Sequence, residues 1–162
     1  MIELAKGELS MQRIAEFYHV SGEIFGGDPT SVPLPVRATS GSAGYDFFAP
    51  EEISLNPGES VTVRTGVRVK ICEGWVLFLL PKSGLGCKYR LSLDNTVGVI
   101  DSDYYFSDNE GHILVKMTNL GNKPLIIAKN SAFCQGVFLP FGITESDCVD
   151  GVRNGGFGST SK

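Results

Sequence analysis

The chain has 162 residues, 42% of them hydrophobic and 20% charged, with a formal net charge of −4. That length suits one domain that buries its own core. The absence of any apolar run of about 18 residues argues against a membrane-spanning helix, and the acidic balance argues against long nucleic-acid tracts, which need a basic face.

The N-terminus carries Glu3, Lys6 and Glu8 where a signal peptide would be apolar, so a cytoplasmic location is expected. Residues 8 to 17, with Leu9, Gln12, Arg13, Ala15 and Glu16, fit a short amphipathic helix or a strand, and Phe17 to Ser21 reads as the first strand. Ser21 to Pro35 is rich in Gly, Pro and Ser and reads as a surface loop. Ser60 to Thr65 and Val67 to Ile71 alternate with period two, which puts their apolar side chains on one face. Trp75 to Leu80 reads as a strand buried on both faces. His112 to Met117, Pro124 to Ile127 and Ala132 to Leu139 continue the series, with turn signals at Asn56-Pro57-Gly58, Glu73-Gly74 and Gly121-Asn122. Many short strands with regular turns predict an all-β fold, a distorted jelly-roll sandwich or barrel with little helix. No repeat or boundary divides the chain. It reads as one domain over 1–162, with an N-terminal extension (1–33) holding the first strand and loop, a β core (34–149) and a glycine-rich C-terminal arm (150–162). Cys72, Cys87, Cys134 and Cys148 form no CxxC pair, and the histidines are His19 and His112. Buried free thiols are therefore expected rather than a protein-ligated zinc site.

Five segments carry chemistry. Ser42-Ala43-Gly44-Tyr45-Asp46 suits a tight strand start. Pro81-Lys82-Ser83-Gly84-Leu85-Gly86 follows a buried strand, and Ser83, Gly84 and Gly86 can offer N–H groups to an anion beside Lys82; a plain turn is the other reading. Lys88, Arg90 and Arg153 could add to a local basic cluster. In the run from Asn95 to Tyr104, Asn95 has the donor and acceptor that match a pyrimidine edge. In the same run, Asp101 is a carboxylate able to polarise a water, and Tyr104 offers a flat face. A hairpin whose polar groups satisfy one another fits the same residues. Gln135 is an amide in an apolar strand and needs a partner if buried. Last comes Val152-Arg153-Asn154-Gly155-Gly156-Phe157-Gly158-Ser159-Thr160-Ser161. Glycine weakens helix and strand interiors, so this segment reads as a disordered tail or as a mobile arm over a phosphorylated aromatic ligand.

In this order the five segments, spanning roughly Leu34 to Thr160, resemble the trimeric all-β dUTP diphosphatase (dUTPase) family. The resemblance implies hydrolysis of dUTP to dUMP and pyrophosphate, which limits uracil in DNA and supplies dUMP for thymidylate synthesis. It implies that Asp101 activates the water that strikes the α-phosphorus. Asn95 would read the uracil edge with backbone groups around Val99 and Ile100, and Tyr104 would pack on the deoxyribose and exclude a 2′-hydroxyl. Lys82, Ser83 and Gly84 would form the phosphate loop, with Gln135 near the phosphates and Asp46 in support. Phe157 would stack on uracil as the arm closes, and Arg153, Gly158, Ser159 and Thr160 would supply its phosphate contacts. The family further implies Mg²⁺ held mainly by the triphosphate and waters, and a homotrimer in which each arm covers a neighbour's site.

The chain departs from the family pattern at several points. Lys82 stands where arginine is usual and lacks its planar fork. Tyr105 to Glu110 lengthen the segment after Tyr104 by about five residues, read as a longer hairpin tip. Arg153 lies one residue nearer the glycine pair, and Ser161 replaces a common glycine. Two other functions fit the same fold. One is dCTP deamination, although His112 to Thr118 holds no glutamate to serve it. The other is a non-catalytic, regulatory nucleotide-binding trimer.

Overall fold

The computed structural model describes residues 11–151. Strand β1 (Ala15–His19) turns Phe17 inward, and residues 11–14 carry no helix. The segment expected as a loop contains two short helical pieces. Helix α1 (Gly22–Phe25) starts at Ser21, whose Oγ accepts the Ile24 N–H at 3.2 Å, and ends at a left-handed Gly26. A 3-10 turn at Pro29–Ser31 is capped by Asp28, whose carboxylate accepts the Thr30 N–H at 2.9 Å.

Strands β2 (Val36–Arg37), β3 (Tyr45–Phe48), β4 (Ile53–Leu55), β5 (Ser60–Arg64), β6 (Val67–Ile71) and β7 (Trp75–Pro81) follow. Between β4 and β5 the Glu59 N–H donates to Asn56 O at 3.0 Å. Gly58 takes a φ of 82° there, which completes the type II turn that Asn56-Pro57-Gly58 announces. After β7 come helix α2 (Ser83–Tyr89), β8 (Leu91–Leu93), β9 (Gly98–Ile100), a 3-10 turn (Ser102–Phe106), β10 (Leu114–Asn119), β11 (Leu125–Ile127) and β12 (Ala132–Pro140).

All strand pairing is antiparallel. The strands form a five-stranded sheet in the order β2-β3-β12-β7-β9, a three-stranded sheet β5-β10-β8, and the pairs β1-β6 and β11-β4. This is the expected jelly-roll-like β fold. One core joins Phe47, Leu77, Leu79, Ile100 and Phe133 of the large sheet to Val63, Leu93, Val115 and Met117 of the three-stranded sheet. Each such side chain, once buried, contributes about 1.5–3 kcal/mol. Phe17 of β1 closes one end of this core, with its ring 5.4 Å from Tyr45, 5.7 Å from Phe47 and 5.8 Å from Phe138. The N-terminal extension is thus woven into the fold.

Two expectations need correction. In β7, Leu77 and Leu79 face the core, but Phe78 and Leu80 are only half-buried, because they point to the outer face of the large sheet. Of the four free thiols only Cys134 is buried, and burial pushes its pKa up; Cys72, Cys87 and Cys148 are exposed. Among the described residues no helix is long and apolar enough to cross a membrane.

Candidate active site

Strand β12 assembles the first part of the site. Gln135 pairs with Asp46 of β3 on one side and with Leu80 of β7 on the other, so these residues share one row across the sheet. Their neighbours Phe47 and Cys134 are buried in the core. Alternation therefore sends Asp46 and Gln135 to the outer face. A register shift between Ala132 and Cys134 sets this phase. Lys82, just past β7, forms an ion pair with the Asp46 carboxylate. Asp46, expected in a supporting role, thus touches the cationic residue directly. Gly44 explains its own identity: a Cβ there would stand 2.7 Å from the Gln135 Oε1.

The second segment opens helix α2, where a loop or turn was expected. The Leu85 and Gly86 N–H groups both donate to Lys82 O at 2.9 Å. The Gly86 amide, expected to face an anion, is therefore used within the helix. Ser83 and Gly84 lie in the first turn, whose N–H groups an α-helix leaves without intrahelical partners. They follow Lys82, the N-cap of α2, at the positive end of the helix dipole. Lys88 and Arg90 lie at the opposite end of α2.

The third segment crosses between sheets. β8 pairs with β10, whereas β9 pairs with β7, so residues 94–97 bridge the two layers. Asn95 is exposed on this bridge and lines a cavity of about 430 Å³ whose apolar wall includes Leu79, Leu93, Leu114 and Val115. Neighbouring Asp94 accepts the Thr118 hydroxyl at 2.5 Å and pairs with Lys116 at 3.2 Å. Those contacts, the hydroxyl first, hold its pKa below the usual carboxylate value. Val99 is 49% exposed, while Ile100 is buried against Leu77.

Asp101 follows β9 half-buried, and its carbonyl accepts the Tyr104 N–H at 3.2 Å to start the 3-10 turn. Tyr104, expected to offer a flat face, is only 5% exposed. Its hydroxyl donates to His112 O at 2.8 Å and accepts from Asn109 Nδ2 at 2.8 Å. His112 is buried in turn, and its Nε2 accepts the Gly66 N–H at 2.9 Å. Burial first, and the nearby Arg64 charge second, lower the imidazole to about 4. The lengthened segment is not a hairpin tip, because β9 and β10 belong to different sheets. It is the 3-10 turn and a following turn docked on β6, where Arg68 meets Tyr105 and Glu110. Sequence reasoning missed Arg68 and Glu110. Arg68 occupies the outward position of an alternating strand, and such positions usually read as solvent-facing.

The β7–β9 register places the two halves of the site apart. Leu77 pairs with Ile100 and Leu79 with Gly98, so Asp101 lies beyond the Leu77 level while Lys82 follows the other end of β7. From Leu77 to Lys82 the strand covers roughly 17 Å at about 3.3 Å per residue. One copy of the chain brings Asp46, Lys82 and Gln135 together and sets Asp101 and Tyr104 elsewhere. Arg153, Phe157, Gly158, Ser159 and Thr160 lie outside the described residues.

The sequence model described as dUTPase matches residues 30–161. The deoxyuridine 5'-triphosphate nucleotidohydrolase of Lactococcus lactis subsp. lactis (strain IL1403) is 42% identical over 132 residues, which is 80% of this chain and 88% of that protein. The crystal structure of a dUTPase from Streptococcus mutans superposes with a TM-score of 0.65 at 34% identity, covering 83% of this chain and 100% of that one. A mutant dUTPase from phage phi11 of S. aureus, whose structure reveals the coordination of a structural Mg(II) ion, shares the fold. Its TM-score is 0.67 at 22% identity, covering 86% of this chain and 98% of that one. With its family match over most of its length and relatives of this similarity, the chain belongs to the dUTPase family.

Proposed function

We propose that the chain hydrolyses dUTP to dUMP and pyrophosphate by in-line attack of a water on the α-phosphorus, with Asp101 as the general base. In the cytoplasm this reaction would limit uracil in DNA and supply dUMP for thymidylate synthesis. The observation that carries the reading is the ion pair of Lys82, at the start of α2, with Asp46, the register partner of Gln135. A triphosphate carries about four negative charges, and fixed donors aimed at such charge are the main source of rate in phosphoryl transfer. Asn95 faces the base, backbone groups around Val99 and Ile100 assist it, and Tyr104 lies against the sugar. Phe157 stacks on the uracil, while Arg153, Gly158, Ser159 and Thr160 close on the phosphates.

Mg²⁺ fits this arrangement as an ion carried by the substrate. The described residues bring no three His, Cys, Asp or Glu side chains together to hold a metal, and Mg²⁺ favours phosphate oxygens and waters with few protein ligands. When bound, it would neutralise phosphate charge.

The site is shared between copies in a homotrimer. The separation of Asp101 from Lys82 along β7 supports this, since a second copy must supply one of them. So do the half-buried Phe78 and the exposed Val99 on the outer face of the large sheet, and the fully exposed stretch 141–151 with Phe141 and Ile143.

The test is pyrophosphate release from dUTP, dTTP, dCTP and UTP with Mg²⁺, on the wild type and on Asp101→Asn. Release from dUTP alone, reduced at least ~100-fold in the variant, is expected. An Asp101→Asn enzyme of undiminished rate would remove Asp101 as the base, and ammonia release from dCTP would replace the reaction itself.

A further inference from the structure

We infer that Arg68 is a positioning residue for the reaction, fixing Tyr104 by clamping the segment 105–110 against β6 and the N-terminal extension. The inference rests on the reading of Tyr104 as the sugar-facing ring.

Arg68 emerges from β6 between the buried Val67 and Val69, and its side chain is only 19% exposed. Three parts of the inserted segment meet it. Its Nη2 donates to Tyr105 O at 2.7 Å, its guanidinium carbon lies 3.7 Å from the centre of the Tyr105 ring, and its Nη1 stands 3.8 Å from Glu110 Oε2. A carbonyl, a stacked ring and a carboxylate together use the planar fork in a way lysine cannot reproduce. The Nε is buried with no hydrogen-bond partner among the described residues, so those three contacts set the placement of the group.

The clamp reaches the N-terminal extension through two further contacts. Glu110 Oε2 also accepts the Ser21 N–H at 2.8 Å, and that bond, ahead of Arg68, holds the carboxyl below its usual pKa. Tyr18, the register partner of Arg68 on β1, sets its ring edge-on to Tyr105 at 6.0 Å.

The position of these contacts along the chain gives them their consequence. Tyr105 is the residue after Tyr104, and Glu110 lies two residues before His112, whose carbonyl takes the Tyr104 hydroxyl. Both ends of the loop that orients Tyr104 are therefore pinned by one guanidinium. A loop of this length without the clamp would let the ring shift, and displacements of about 1 Å near a reacting centre cost up to about 100-fold.

The experiment is steady-state kinetics of the full chain with dUTP and UTP in Mg²⁺, with melting curves, for wild type, Arg68→Met, Arg68→Lys, Glu110→Gln, Tyr104→Leu and Arg64→Met. Arg64 serves as control because it donates to the Ile24 and Phe25 carbonyls and bonds to no part of the inserted segment. Arg68→Met is expected to raise the dUTP KM about 10-fold, to leave kcat within about 2-fold, and to lower the dUTP-over-UTP preference about 10-fold. Arg68→Lys should recover part of that loss. Glu110→Gln keeps the acceptor for Ser21 but loses the charge, and should shift the preference in the same direction by less. Arg64→Met should leave the preference unchanged. Wild-type preference in folded Arg68→Met, or in Glu110→Gln should Arg68→Met fail to fold, overturns the clamp. So does an equal loss of preference in Arg64→Met, which would mark a general loosening. If Tyr104→Leu retains full preference, the sugar reading fails and the inference with it. If Tyr104→Leu loses it while Arg68→Met does not, the clamp alone fails.

Discussion

Lys82 and Asp46 form one charged unit across the central strand β12 of the five-stranded sheet, the lysine from just past β7 and the carboxylate from β3. Their side chains are 35% and 15% exposed, so the pair is open enough for an incoming anion to compete. Asp46 restricts where the ammonium can stand, and with the ammonium so placed a point charge can serve the proposed phosphate site without an arginine's planar fork. A charge-assisted hydrogen bond to phosphate contributes about 1.5–3 kcal/mol. Lys82→Met is therefore expected to lower kcat/KM for dUTP about 10- to 100-fold, and Lys82→Arg to stay within about 3-fold of wild type. A Lys82→Met enzyme with unchanged kcat/KM would take the lysine out of the phosphate site.

Gly44 offers a test of Gln135 that leaves Gln135 in place. An alanine methyl at 44 would sit 2.7 Å from the amide oxygen, and the amide is the far end of a flexible side chain that can swing away. The fold should therefore tolerate Gly44→Ala with a cost of about 1 kcal/mol, while the amide loses its position. Kinetics should show kcat/KM for dUTP reduced about 10-fold, with a melting temperature a few degrees from wild type. Full activity would mean that the Gln135 amide has no part in binding the phosphates.

His112 makes the fold acid-sensitive. Its Nε2 accepts the Gly66 N–H, so protonating that nitrogen breaks a buried hydrogen bond, and burial lowers the folded-state pKa from 6.5 to about 4. Between those values the unfolded chain binds a proton at this residue that the folded chain does not. Stability is thus fully present above pH 6.5 and is lost as pH falls toward 4, by at most on the order of 3 kcal/mol. His112→Gln offers an uncharged acceptor to Gly66. Its urea midpoint, measured between pH 4 and 7, should vary less with pH than that of the wild type. Equal slopes in the two proteins would assign the acid sensitivity to other groups.

How far these arrangements could be read in advance depended on whether a signal is local. The alternation of Val67 to Ile71 is local, and β6 lies where it predicts. Gln135 stood out because an amide interrupts an apolar strand. Helix α2 was hidden because Gly84 and Gly86 are poor helix formers; it closes at Arg90, whose φ of 54° ends it in a left-handed cap. Helix α1 is only four residues long and relies on Ser21 and Gly26 at its ends, inside a stretch whose composition reads as loop. The Arg68 clamp joins residues 18, 21, 68, 105 and 110, and no spacing along the chain announces it.

The β7–β9 register leads to the last prediction. Asp101 and Lys82 are carried toward opposite ends of the same strand pair, roughly 17 Å or more apart in one copy. A triphosphate attacked at its α-phosphorus needs both within its own length, so in the proposed homotrimer each complete site would take Asp101 from one copy and Lys82 from another. Asp101→Asn and Lys82→Met chains, each weak alone, should then complement one another when unfolded together and refolded as mixed trimers. With random mixing in a cyclic trimer, a site is intact when the copy giving Asp101 and the copy giving Lys82 are each of the right kind, which happens in about one quarter of sites. Activity of the refolded mixture should approach about a quarter of wild type, and simple mixing of folded variants should recover it only as fast as subunits exchange. If the refolded mixture shows only the average of the two variants, both residues serve a site within one chain, and the shared site is wrong.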